Sequence, residues 1–166
     1  MTDAPLLLDA ETRAHEHPAD HREELRLWLR LLTCTNLIES EIRARLRRQF
    51  GVTLPRFDLM AQLEKAPEGM TLGELSRRMM VSNGNVTGLI ERLLDAALVE
   101  RRAHPTDRRA VVVALTAAGH RAFADMAAAH AEWIAELCAG LAGPDVAQLM
   151  RLLGRLKTHV KDVAHG

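Results

Sequence analysis

The chain has only two cysteines, Cys34 and Cys138, far apart in sequence. That is too little thiol for a disulfide framework or a zinc cage, and it fits a reducing cytoplasm. Long apolar runs are missing too. The longest, Ala110–Leu115, falls far short of the roughly 20 residues a membrane-spanning helix needs, so no membrane partner is expected. The first residues carry no basic n-region, which argues against a secretory signal. There is no phosphate-cradling glycine loop, no Gly-x-Ser-x-Gly, no His-Glu-x-x-His, and no paired carboxylates outside helix surfaces. An enzyme is therefore not expected, and neither catalytic residues nor a cofactor can be named. The one histidine cluster, His15, Glu16, His17 and His21, lies in a polar arm without a second ligand set, so no metal site is expected.

Net charge is absent as well, with 22 basic and 22 acidic residues, but its distribution is uneven. Residues 1–24 carry seven acids against two arginines, and residues 41–109 carry thirteen basic groups against nine acids. The basic excess in the middle is nearly all arginine, the side chain suited to bidentate phosphate and base-edge contacts. With 48% hydrophobic residues the chain can bury a core and is not a disordered protein.

What is present is mostly helical periodicity. Leu25, Trp28, Leu29, Leu32, Ile38, Ile42 and Leu46 recur at three- and four-residue steps, predicting one helix from about His21 to Phe50. Pro55 suits the first turn of a second helix running to about Lys65. Thr71 and Glu74 form a capping box before a short third helix to Met80. Ser82 is a good N-cap for a fourth, in which Val86, Leu89, Ile90, Leu93, Leu94 and Ala97 make an apolar stripe. Its opposite face carries Asn83, Gly84, Asn85, Thr87, Gly88, Glu91 and Arg92. Leu98–Arg102 and Ala110–Leu115 are short and strand-like, and the polar link Ala103–Arg109 makes them a β-hairpin. Two more helices follow, over residues 119–140 and from Gly143-Pro144 to about Val163.

Two short helices joined by a tight turn and followed by a hairpin describe a winged helix-turn-helix. The fourth helix is slim enough for a major groove, where asparagine pairs bidentately with adenine and threonine touches a thymine methyl or a phosphate. Gly84 and Gly88 each cost a helix up to ~1 kcal/mol, and they permit close approach of DNA. At the hairpin tip Asp107 and Arg109 lie two residues apart, so an ion pair can hold Arg109 outward for a minor groove. Arg101, Arg102 and Arg108 add phosphate contacts. The competing reading of these tip charges is an exposed surface pair and nothing more.

Asp107-Arg-Arg109, Val111-Val-Val113 and Leu115-Thr116-Ala-Ala-Gly119 resemble the wing signature of the MarR family of transcriptional regulators. Leu72-Gly-Glu-Leu75, Ser82–Thr87 and Leu93–Arg101 agree in order and spacing, so the likeness covers roughly residues 25–160. The resemblance implies a mainly α fold with a small β-wing: a winged helix-turn-helix head plus a helical dimerisation region, in a homodimer that reads a palindromic double-stranded DNA operator. It divides the chain into a flexible arm (1–22), dimerisation helices (23–50 and 119–164) and the DNA-binding head (51–118). It places Ser82, Asn83, Asn85, Thr87 and Arg92 at the recognition helix and Asp107, Arg108 and Arg109 at the wing tip. Arg56 and Ser76 approach phosphates, with Arg101 beside the wing.

The same resemblance implies release by a small-molecule effector in a cleft lined by Trp28, Leu32, Asn36, Arg43, Phe57 and Met60. The stretch Leu27–Asn36 is similar to members answering to hydroxycinnamate-type aromatic acids or their CoA thioesters. Two alternatives stand beside this repressor reading. A cysteine-redox-sensing repressor would use Cys34, but the chain has no tyrosine to support a reactive thiol, and apolar neighbours fit a buried, inert one. A winged-helix protein-interaction module without DNA binding would show an acidic or apolar outer face on the fourth helix.

Overall fold

The computed structural model describes residues 22–104 and 110–165. The chain divides into two compact units, residues 1–130 and 131–166. The division falls inside a helix and keeps the first long helix with the head. Among the described residues the elements are α1 (Arg22–Phe50), α2 (Leu54–Glu64), β1 (Met70–Thr71), α3 (Leu72–Met79), α4 (Asn83–Asp95), β2 (Val99–Ala103), β3 (Val111–Leu115), α5 (Ala117–Cys138) and α6 (Gly143–His165). No helix among them is long and apolar enough to cross a membrane.

In the first unit, α1 carries Glu23 and Glu24 in its first turn and Arg47 and Arg48 in its last, both complementing the helix dipole. Gly51, at φ +65°, ends it. Only the C-terminal turns of α1 reach the core, through Ile42 and Leu46. Leu25, Leu27, Trp28 and Leu37 stay exposed. In α2, Phe57, Leu59, Met60 and Leu63 face inward, and the Phe57 ring stacks on Phe123 of α5 with centroids 5.5 Å apart. The capping box of α3 is formed: the Thr71 hydroxyl accepts from the Glu74 N–H while the Thr71 N–H donates to the Glu74 carboxylate at 2.8 Å.

The sheet has three antiparallel strands in the order β1-β3-β2. A hairpin alone is the expectation from the sequence; β1 is the addition. It pairs Met70 with Val113 and Thr71 with Val112. Two residues carry no periodicity, so nothing in the local pattern announces them. The central strand β3 is buried from Val112 to Leu115, whereas β2 exposes Glu100, Arg101, Arg102 and Ala103. Beyond the last β2–β3 pair, the His104 N–H donates to the Ala110 carbonyl at 3.0 Å. The expected tip residues Asp107, Arg108 and Arg109 lie outside the described residues, as does the His15–His21 cluster.

Helix α4 is closed by left-handed residues at both ends. Before it, Met80 adopts φ +56°, and the Val81 N–H donates to the Ser76 carbonyl at 3.2 Å. After it, Ala97 adopts φ +55° and the Leu98 N–H donates to the Leu93 carbonyl at 2.9 Å. The helix thus stops at Asp95, and Ala97 is exposed rather than part of the apolar stripe. A left-handed ending turns the chain away from the helix axis, which is why the 3–4 periodicity runs past the true end.

Helix α5 starts against that ending. The Thr116 hydroxyl donates to the Ala97 carbonyl at 2.8 Å and accepts from the Gly119 N–H at 2.9 Å. Gly119 itself must be glycine: a Cβ there would sit 1.9 Å from the Leu98 carbonyl oxygen. His120 Nδ1 lies 2.7 Å from the Glu64 carboxylate, tying α5 to the end of α2. In the second unit, α6 leaves Val146, Leu149, Met150, Leu152, Leu156, Val160 and Val163 exposed along its length.

Candidate nucleic-acid interface

Helix α4 separates its two faces cleanly. Val86, Ile90 and Leu93 are buried, each burial contributing about 1.5–3 kcal/mol. Asn83, Gly84, Asn85, Thr87, Gly88, Glu91 and Arg92 are exposed. The Ser82 hydroxyl caps the helix by accepting from the Asn85 N–H at 3.4 Å, so Ser82 acts first as a cap. The Thr87 hydroxyl donates to the Asn83 carbonyl at 2.9 Å, which leaves its methyl for any outside contact. Gly84 and Gly88 would meet nothing within 4 Å if they carried a Cβ. Packing inside the chain therefore does not require glycine at either position.

An open groove of about 400 Å³ runs beside this face, lined by Thr53, Arg56, Gly84, Asn85, Gly88, Leu89 and Arg92. Its walls combine two guanidinium groups, an amide and two glycines, a set suited to a phosphodiester strand lying against the helix. Thr53 is the residue that sequence reasoning passes over. It holds the N-cap position of α2, yet its side chain makes no cap hydrogen bond although the residue lines the groove. The signal was a threonine two residues ahead of Pro55, a helix-start pattern.

Other expected contacts are placed differently. The Ser76 hydroxyl donates to the Val81 carbonyl at 2.5 Å, so it braces the turn before α4 and its proton is not free for a phosphate. Arg101 pairs with Glu91 on α4, and Arg102 pairs with Glu100 at 2.6 Å. The two arginines alternate to opposite sides of β2, both exposed, and each guanidinium carries a carboxylate. Glu91 sits ten residues before Arg101, and only the α4–β2 turn brings them together.

The six residues expected to line an effector cleft have different surroundings in the single chain. Met60 is fully buried in the core and Phe57 is occupied by Phe123 and by His130, whose ring centroid lies 5.1 Å away. Arg43 pairs with Glu39 one turn earlier. Trp28 stays exposed, and Leu32 and Asn36 are half-buried. The reason is geometric: Phe57 and Met60 lie on the inward stripe of α2, which a helical pattern alone cannot distinguish from a ligand-facing one. Nearby, Asp58 is held above the ordinary carboxylate range, chiefly by lost hydration and next by Glu39, with His130 and Arg43 opposing. Cys34 is exposed, not buried as its apolar neighbours suggest, because the α1 face around it has no cover within the first unit. Among the described residues no group of three His, Cys, Asp or Glu side chains is placed to hold a metal ion.

Comparison with known proteins agrees with this geometry. Residues 50–110 match the model of the MarR family. The HTH-type transcriptional repressor Rv2887 of Mycobacterium tuberculosis is 33% identical over 110 residues, covering 64% of this chain and 76% of the relative. The chain belongs to the MarR family. A MarR family transcriptional regulator from Silicibacter pomeroyi superposes with a TM-score of 0.71 at 32% identity, covering 86% of this chain and 99% of that one. Sco3205 of Streptomyces coelicolor, solved in complex with DNA, superposes with a TM-score of 0.73 at 20% identity over 88% and 89% of the two chains. This MarR-type chain is accordingly a transcriptional regulator and not an enzyme. Its helix-turn-helix is α3 and α4, and its wing is the β2–β3 hairpin.

Proposed function

We propose that this MarR-family chain is a homodimeric repressor that reads a palindromic operator and is released by a small aromatic acid or its CoA thioester. The observation that carries the DNA reading is the exposed amide-and-glycine face of α4 with its groove flanked by Arg56 and Arg92. Asn83, Asn85 and Thr87 face the base edges, while Thr53, Arg56 and Arg92 hold the strand. Arg109, on the Asp107-Arg108-Arg109 tip, enters the minor groove. A surface of this kind opposes a pure protein-interaction module, which would present acid or apolar groups there. The Sco3205–DNA complex supports the same use of the fold, and the description of Rv2887 as a repressor supports repression.

Dimerisation is supported by the exposed apolar faces of α1 and α6, since a monomer rarely leaves such stripes in water. The effector reading rests on Trp28, Leu32 and Asn36 of α1, an indole, an aliphatic wall and an amide. A titration of the DNA upstream of the chain's own gene, at several salt concentrations, tests the central claim. A band shift that weakens steeply with salt is expected, with half-sites about 34 Å apart; no shift at low salt overturns it. Thermal-shift titration with aromatic acids and aryl-CoA esters tests the effector, and an unmoved melting point across the set removes it.

Cys34 is exposed in the single chain but lies on the α1 face assigned above to the dimer contact. A second reading, release by thiol oxidation, therefore needs a thiol that stays reachable in the dimer. It requires that peroxide weaken DNA binding in the wild type and not in Cys34→Ser; equal sensitivity of the two ends it.

A further inference from the structure

Met80 is unusual in two independent ways. Its φ of +56° and ψ of +38° place a residue with a Cβ in the left-handed region, where glycine is the low-cost occupant of a helix ending. Its side chain is also 92% exposed, more than any other large apolar side chain among the described residues. Neither the backbone nor the core gives a reason for methionine here. The position is nevertheless held firmly, because the Ser76 hydroxyl and the Val81 N–H clasp the turn on either side.

The location supplies the reason. Met80 lies two residues before the capping Ser82 and three before Asn83, at the leading end of the exposed face of α4. A thioether carries no charge and no strong hydrogen-bonding group, so it cannot hold a phosphate. It is a flexible, polarizable apolar arm. The apolar group that a major groove presents is the C5-methyl of thymine. We infer that Met80 is a specificity-determining residue that packs on a thymine methyl at the edge of each half-site. The inference rests on α4 being the reading helix, as proposed above.

The experiment uses the full chain and a duplex selected from a randomised pool by the wild type. Binding is followed by fluorescence anisotropy at fixed salt for the wild type, Met80→Gly, Met80→Leu and Ala97→Gly. Replacing one thymine per half-site by deoxyuridine, which removes only the methyl, is expected to weaken the wild type about fivefold. Met80→Gly is expected to bind the thymine duplex about fivefold more weakly and to ignore that replacement. Met80→Leu keeps most of the affinity and the thymine preference. Because glycine relieves the left-handed turn, Met80→Gly melts about 2–4 °C higher than the wild type, which shows that its weaker binding does not come from unfolding. Ala97→Gly gives the same backbone relief at the far end of α4 and leaves affinity unchanged. The inference is overturned if Met80→Gly binds as tightly as the wild type, or if it still responds to deoxyuridine as the wild type does. A wild type that selects no duplex overturns the reading-helix assignment itself, a failure distinct from either.

Discussion

At the scale of single residues, one methyl group marks the boundary between what the fold tolerates and what it forbids. Gly119→Ala would drive a Cβ against the Leu98 carbonyl, 1.9 Å away, and is expected to destabilise the head by about 1–3 kcal/mol, read as a lower melting temperature. Gly88→Ala meets nothing within 4 Å, so the helix should gain about 1 kcal/mol while binding to the selected duplex weakens. Opposite signs in stability and affinity are the diagnostic there. Asp58 adds a pH effect. Its native pKa is raised, so the folded state holds the proton more tightly than the unfolded chain, and stability falls as pH rises through that window. Asp58→Asn should therefore melt above the wild type at neutral pH, with the gap closing below about pH 4. The openness of Gly88 was legible in the sequence because a mid-helix glycine is costly, whereas Gly84 lies in the first turn of α4, where glycine costs little. The tasks of Ser76 and Arg101 were not legible, since their partners, the Val81 carbonyl and Glu91, are each brought near by a turn.

At the scale of elements, local chemistry carried most of the information. The capping box at Thr71, the proline at the start of α2 and the cap at Ser82 each mark a helix start in the sequence, and each is present. Thr71→Ala should cost about 1 kcal/mol of stability. Hydrogen bonds from Thr71 hold the Glu74 pKa below its ordinary value. That stabilisation is complete above the unfolded carboxylate pKa and is lost as pH falls through the native one. Glu74→Gln, which removes the titrating carboxylate, should flatten the acid limb of the stability curve more than Thr71→Ala, which keeps the backbone N–H that contributes most. Strand β1 was hidden because two residues show no alternation, and its pairing with β3 is a tertiary event. The end of α4 was overrun for a related reason: a left-handed stop at Ala97 leaves no mark when the residue is not glycine.

At the scale of the whole molecule, the long apolar stripes of the first and last helices could be read directly, but what covers them could not. In the proposed dimer such cover is a property of two chains. A Leu149→Glu, Leu156→Glu double variant places charge on the exposed apolar face of α6. It should shift the chain from dimer to monomer in light scattering and abolish binding to the palindromic duplex. A dimer that survives intact would show that α6 is not part of the contact.

The closing of α4 at both termini has a consequence for signalling. The reading helix is bounded by left-handed stops at Met80 and Ala97, so its length is set by the turns on either side. If the proposed effector acts on this chain, it would do so by re-aiming an unchanged reader, much as a key is withdrawn rather than recut. Deuterium uptake along Asn83–Asp95 should stay the same with and without effector, while the flanks that carry the reader exchange faster or slower.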